Sequence, residues 1–239
     1  CKMKRAIHNS IALTLVMGVV LTIVGLLFND PILKAIGVPS EVFSEASTYL
    51  SIYFWSLIFV MVYNMGSGIL RSVGDSKRPL YFLIFSSVVN IILDFLFVKY
   101  FHFGVAGAGY ATLIAQAISA IMVMYVLMKT EDDYKVILKE IGFDKEILLK
   151  IIKIGLPTGF QQSIVSLSNV IVQSYINVYG ASVIAGYSVT IKIDGFVNLP
   201  LQAFNMAITT FVGQNIGAKQ YDRVKKRDYI TTASITSFS

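Results

Sequence analysis

Two acidic side chains, Asp94 and Asp194, lie inside long apolar stretches of this 239-residue chain. A carboxylate near the centre of a bilayer costs about 2.5–3.5 kcal/mol on insertion scales, so an acid kept there usually has a function. Asn90 lies one helical turn before Asp94, which puts an amide and a carboxyl on one helix face. Such a pair can hold a cation through its oxygens, or the carboxyl can take up a proton when it loses water. The alternative is a structural aspartate near a helix end, because Lys99 follows closely.

The composition favours a lipid environment. Apolar residues make up 55% of the chain and charged residues 14%, whereas soluble domains average about 25% charged residues. The apolar stretches are apolar on all sides, which suits helices in a bilayer. The pattern predicts an all-α, polytopic transmembrane helix bundle with spans at 11–28, 49–70, 80–98, 105–128, 154–178 and 183–212. A seventh span is predicted to begin near 229, and the chain is predicted to be a window of a longer protein.

Basic residues predict how the spans are oriented. Of the 20 lysines and arginines, 17 fall in the amino-terminal segment and in every second loop, with only Lys34 and Lys99 in the opposite loops and Lys192 inside a span. This alternation predicts that the basic loops face the cytoplasm. It also explains the net charge of +6 without a nucleic-acid partner.

Polar residues recur at helical spacing inside four spans and predict faces that line a hydrated cavity. The alternative is hydrogen bonding between helices, worth about 0.6 kcal/mol per contact. For Asp194, a structural and a functional role are both open. The residues predicted to line the cavity are Gln116, Gln162, Asn169, Gln173, Asp194, Asn198 and Gln202.

Breaker residues and the remaining charged segment predict how the spans connect. Asn29-Asp30-Pro31 predicts a turn after the first span. The segment 129–153 predicts a surface amphipathic connector between two halves. His8 and His102 are isolated near span ends and are predicted to be solvated rather than ligands.

Several motifs resemble those of the MATE family of multidrug and toxic compound extrusion transporters. They are residues 68–75 (GILRSVGD) followed by Pro79, residues 90–94 (NIILD), residues 104–112 (GVAGAGYAT) and residues 213–218 (GQNIGA). The resemblance covers essentially the whole chain. It is nearest to the prokaryotic DinF-like branch.

This resemblance implies a fold of twelve helices in two six-helix lobes, of which the chain is an internal fragment. Residues 1–128 would be helices three to six of the amino-terminal lobe, 129–153 the cytoplasmic lobe linker, and 154–239 helices seven, eight and the start of nine. The implied cation-coupling residues are Asp94, Asn90, Thr112 and Tyr49. If the ion is Na⁺, Asp94 and Asn90 would be the metal ligands.

The implied function is antiport across the cell membrane: export of amphipathic, often cationic, organic molecules in exchange for Na⁺ or H⁺, with no cofactor beyond the coupling ion. A flippase for lipid-linked oligosaccharides of related architecture is the alternative, although only Lys192 among the basic residues lies inside a span. An enzyme is disfavoured because the spans offer no paired acid, histidine or cysteine constellation.

Overall fold

The computed structural model describes residues 2–36, 38–177, 179 and 181–224. The predicted seventh span near 229, and with it the end of the predicted 154–239 segment, lies outside these residues. The chain forms two compact units, Cys1–Ile152 and Lys153–Ser239. Their predicted assignment to two lobes joined by a linker stays a prediction.

Helices make up most of the described chain, and no strand occurs among the described residues, which confirms the all-α prediction. A π-helical segment at Phe95–Tyr100 directly continues the fourth helix, and a short 3₁₀ turn at Leu138–Glu140 follows the fifth. The α-helices are α1 (Lys2–Leu27), α2 (Asn29–Ile36), α3 (Phe43–Ser72), α4 (Lys77–Asp94), α5 (Gly104–Lys129), α6 (Lys145–Asn177) and α7 (Ala181–Gly217).

Four helices are long and apolar enough to cross a membrane. They are Met3–Leu27, Phe43–Ser72, Lys77–Tyr100 and Gly104–Lys129, which match the first four predicted spans. Helices α6 and α7 are also long enough, at 33 and 37 residues. Their polar stripes lower their hydropathy, so length and composition alone do not mark them as spans.

Helices α3 and α5 form the centre of the first unit. They pack against each other, α5 also packs against α4, and α3 also packs against α1 and α2. Gly109 of α5 allows a close approach to α3, because a β-carbon there would lie 3.2 Å from two side-chain carbons of Ile52. Small residues at helix contacts are typical of membrane bundles, where packing rather than the hydrophobic effect drives helix association.

The first span ends at the predicted break, because α1 ends at Leu27 and Asn29-Asp30-Pro31 begin a separate short helix, α2. Proline is tolerated in the first turn of a helix, where its missing N–H would have no partner. Asn29 is buried and its Nδ2 donates to the Ser47 carbonyl oxygen at 2.9 Å and to Ser51 Oγ at 2.7 Å. These bonds fasten α2 to the first turns of α3.

The prediction that His8 is solvated is wrong. Only 3% of its surface is exposed, because the predicted connector folds back onto the start of α1. Val136 of the connector is buried in the core of the first unit, and its N–H donates to the Leu127 carbonyl oxygen at 2.8 Å. The predicted connector is helical from Lys145 onward.

Candidate cation-coupling site

The last two turns of α4 carry Asn90 and Asp94, four residues apart on one face. Immediately after Asp94 the backbone changes to π-helical hydrogen bonding over Phe95–Tyr100. The segment closes with a bond from the Phe101 N–H to the Leu96 carbonyl oxygen at 3.0 Å. A π-helical turn is less regular than an α-helix and often occurs at functional sites. Asp94 therefore stands at a junction between two helix types.

Two side-chain atoms of this pair are shielded from water and have no hydrogen-bond partner among the described residues. They are Asn90 Nδ2 and Asp94 Oδ1. A buried polar group without a partner is destabilising by about 1–3 kcal/mol, and more when it is charged. Folded proteins therefore contain few such groups, and those that occur call for an explanation such as a bound ion, a water molecule or a functional role.

Thr112 and Tyr49, the other two predicted members of the site, lie on α5 and α3. Thr112 is half-buried, and Tyr49 is 38% exposed. Helix α5 contacts both α3 and α4, so the three helices share one bundle. Within the described residues no side-chain hydrogen bond joins Asp94 to Asn90, Thr112 or Tyr49. The structure thus places Asn90 and Asp94 together on one helix face, and the participation of the other two stays a prediction.

Carboxylates are sparse around this pair. Among the described residues, no three histidine, cysteine, aspartate or glutamate side chains lie close enough together to hold a metal ion. A cation at Asp94 would therefore need amide, hydroxyl or carbonyl oxygens to complete its shell. Oxygen ligands of this kind suit a hard cation.

The predicted cavity-lining residues are distributed over both units. Gln116 is half-buried on α5, and Gln173 is half-buried on α6. On α7, Asn198 Nδ2 donates to the Asp194 carbonyl oxygen at 2.8 Å, one turn back along the helix. The role of these residues in a common cavity stays a prediction. The members with exposed side chains are Gln162, Asn169, Asp194, Asn198 and Gln202.

Sequence reasoning missed a cleft of about 510 Å³ between α3 and α5. Trp55 and Tyr110 contribute aromatic faces to it. The spacing of Thr48, Ile52 and Trp55 along α3 is the signal that could have found it, because steps of three and four residues share a helix face. The complete lining is Ser47, Thr48, Ser51, Ile52, Trp55, Tyr110 and Leu113.

The MatE family model matches residues 1–96 and 157–239, which is more than half of the chain. The chain belongs to the MatE family. It is 32% identical over 232 residues to the probable multidrug resistance protein YoeA of Bacillus subtilis, covering 94% of this chain and 50% of that protein. MatE members are transporters and not enzymes, in agreement with the sequence prediction.

Solved structures of related proteins have a fold similar to that of this MatE chain. A MATE transporter in complex with MaL6 has a TM-score of 0.84 at 27% identity, covering 94% of this chain and 50% of that one. A MOP superfamily transporter from Pyrococcus furiosus has a TM-score of 0.83 at 28% identity, covering 93% and 50%. The chain spans about half the length of the relatives it matches. The predicted membrane helix bundle of MATE type is thereby confirmed for this partial chain.

Proposed function

We propose that the protein containing this chain is a cation-coupled antiporter in the cell membrane. It exports amphipathic, often cationic, organic molecules in exchange for Na⁺ or H⁺ by alternating access. The observation that supports this most directly is the pair of buried, unpartnered atoms Asn90 Nδ2 and Asp94 Oδ1 at the end of α4. The name of the Bacillus relative, a probable multidrug resistance protein, supports organic compounds as the substrates.

In this proposal Asp94 binds the coupling ion. A proton or a sodium ion neutralises the carboxylate and removes the free-energy penalty of holding a charge away from water. Inward movement of one charge down a membrane potential of 100 mV releases about 2.3 kcal/mol. This energy is available only if ion binding and substrate binding favour different conformations.

The neighbouring groups complete the ion site. If the ion is Na⁺, Asp94 and Asn90 supply oxygen ligands, with Thr112 and Tyr49 as further oxygen donors to the shell. If the ion is H⁺, the same groups serve as hydrogen-bond partners of the protonated carboxyl. The π-helical segment Phe95–Tyr100 directly follows Asp94. In this proposal, a change in the charge of Asp94 alters the helix geometry at the junction between α4 and this segment.

The substrate path is proposed to involve the polar stripes of α5, α6 and α7. The cleft between α3 and α5 adds the faces of Trp55 and Tyr110. Aromatic faces attract organic cations through the ring quadrupole, by about 0.5–2 kcal/mol per contact. This chemistry suits amphipathic cations better than phosphate-bearing lipids.

A flippase for lipid-linked oligosaccharides is disfavoured by the placement of basic side chains. Lys99 Nζ lies over the Phe95 ring at 4.7 Å from its centre, at the end of the span rather than inside it. Lys192 is exposed on α7. Two separate lysines do not form the basic cluster that a pyrophosphate group requires.

The test uses the full-length protein in proteoliposomes loaded with a fluorescent cationic dye. Dye efflux is followed under an imposed Na⁺ or H⁺ gradient for wild type, Asp94→Asn and Asp133→Asn. Asp133 is an exposed carboxylate of the connector and serves as the matched control, because its substitution removes the same charge away from the proposed site.

We expect wild type and Asp133→Asn to export dye under one of the two gradients, and Asp94→Asn to lose at least nine tenths of that rate. Equal rates in Asp94→Asn and wild type would remove Asp94 from the coupling step. Absence of dye movement under both gradients, together with movement of a fluorescent lipid-linked sugar, would favour the flippase.

A further inference from the structure

The cytoplasmic start of α1, as oriented by the basic loops, is bonded to a distant segment of the same unit. Lys4 Nζ lies 3.3 Å from Glu140 Oε2, and Arg5 Nη1 lies 3.3 Å from Asp144 Oδ2. Asn9 Nδ2 donates to the Asp144 carbonyl oxygen at 2.7 Å. We refer to these bonds, and those of His8 described next, as the α1–connector contact.

His8 lies at the centre of the α1–connector contact with both ring nitrogens in use. The N–H of Ile137 donates to His8 Nε2 at 2.9 Å, so Nε2 must be unprotonated. Nδ1 lies 2.7 Å from the Lys4 carbonyl oxygen and must carry the hydrogen, because a carbonyl only accepts. The geometry therefore fixes one neutral tautomer of a side chain that is 3% exposed.

The charged groups that face His8 come from three elements: α1, the connector and the start of α6. Lys4 and Arg5 lie on its own helix. Glu140 and Asp144 belong to the connector, and Lys145 to the start of α6; all of them line one pocket with His8. The nearest carboxylate is that of Glu140, whose Oε2 is 4.0 Å from His8 Nε2 and is also paired with Lys4.

We propose that the α1–connector contact is a proton-sensitive switch: protonation of His8 breaks its bond with the Ile137 N–H and loosens the connector from α1. Histidine is the side chain that changes charge between about pH 5 and 8. No described neighbour of His8 is needed for ion coupling in the proposed transport cycle. The switch would act on the covalent connection between the two units.

The direction of the effect follows from the donors and acceptors. A proton on Nε2 turns the acceptor of the Ile137 N–H into a second donor, and two donors 2.9 Å apart repel each other. Glu140 could accept the new hydrogen only by moving closer and by sharing its charge with Lys4. Its side chain is 50% exposed, so water weakens that attraction. Loss of the bond to Ile137 therefore dominates.

The inference does not depend on the proposed export activity, because the contact can be observed without any substrate. Hydrogen–deuterium exchange of the full-length protein in nanodiscs reports the protection of the peptide that contains Ile137. The measurement compares about pH 8 with about pH 5, after correction for the intrinsic exchange rate. His102→Gln is the matched control, since His102 is the other histidine of the chain and is exposed.

We expect protection of this peptide in wild type and His102→Gln to fall by roughly five- to tenfold on acidification, the effect of one lost hydrogen bond. His8→Gln keeps an uncharged acceptor and should show no such fall. An unchanged pH response in His8→Gln would overturn the proposal, as would protection in wild type that rises or stays constant.

A second variant separates His8 from its carboxylate neighbour. Among the ion pairs of the described residues, Glu140 is the only carboxylate within 4.0 Å of His8. Glu140→Gln removes this negative charge, which could otherwise balance the positive charge of a protonated His8. If His8 is the sensor, the fall in protection persists or becomes larger in this variant. If the fall disappears, Glu140 and not His8 senses the proton, and the proposal is wrong.

Discussion

Gly66 of α3 lies against Val123 of α5 at a point where no β-carbon fits. A β-carbon built on Gly66 would lie 2.8 Å from both methyl carbons of Val123, and Val123 is completely buried. We expect Gly66→Ala to push the two helices apart and to lower the stability of the full-length protein by about 1–3 kcal/mol. The melting temperature in detergent, monitored by size-exclusion chromatography of heated samples, measures this change in stability.

Gly68→Ala is the control for this substitution. It lies on the same helix, and a β-carbon there meets no atom within 4 Å. Because alanine favours a helix over glycine by about 1 kcal/mol, stability should stay constant or rise. Equal destabilisation by both substitutions would mean that the contact with Val123 is not the cause.

Tyr63 links α3 to the first turn of α4. Its hydroxyl donates to the Pro79 carbonyl oxygen at 2.9 Å, and the bond is buried. Tyr63→Phe should reduce stability by about 0.5–1.5 kcal/mol, the net contribution of one hydrogen bond. Tyr53→Phe removes a hydroxyl from a tyrosine that is 45% exposed, and its melting temperature should match that of wild type.

Asp144 is the N-cap of α6. Its Oδ1 accepts from the backbone N–H groups of Glu146 at 3.1 Å and of Ile147 at 3.4 Å. Asp144→Ala should lower stability by about 0.5–2 kcal/mol, because two N–H groups of the first turn lose their acceptor. Asp144→Ser keeps a capping oxygen and should recover most of this difference in unfolding measurements. If serine is no better than alanine, capping is not what Asp144 contributes.

The carboxyl of Asp132 accepts a hydrogen bond from Thr130 Oγ1 at 2.9 Å. This bond, with a smaller contribution from Tyr134, holds the pKa of Asp132 below its usual value. A lowered folded-state pKa gives a stabilising effect that is present above the unfolded-state pKa and is lost as pH falls through the lowered value. Thr130→Val should raise the Asp132 pKa in an NMR titration of the carboxyl carbon, whereas Thr130→Ser should leave it low. An unchanged titration in the valine variant would contradict this.

The sequence predicted the first four spans because each is a long apolar run, and length and hydropathy decide membrane insertion. It also predicted that Asn90 and Asp94 share a face, since helical periodicity alone determines this. It did not predict the π-helical segment after Asp94. Nothing in Phe95–Tyr100 distinguishes those residues by type from an ordinary apolar helix end. The segment packs against α5, and such a contact cannot be seen in the local sequence.

His8 shows why the rest of the structure could not be predicted from local patterns. A lone histidine near a helix end is usually solvated, and only a partner far along the chain could indicate otherwise. That partner, the N–H of Ile137, is a backbone group and leaves no trace in residue type. The same holds for Asn29, whose serine partners on α3 become neighbours only when α2 folds against that helix.

The bonds between α1 and the connector also constrain how the protein is made. Lys4 and Glu140 are 136 residues apart, and Asn9 and Asp144 are 135 apart. Because ribosomes add about 5–20 residues per second, the connector is synthesised on the order of ten seconds after α1. During that interval His8 and Asn9 lack the connector partners that they have in the folded unit. Completion of this unit therefore depends on synthesis of the connector and not only on insertion of α1.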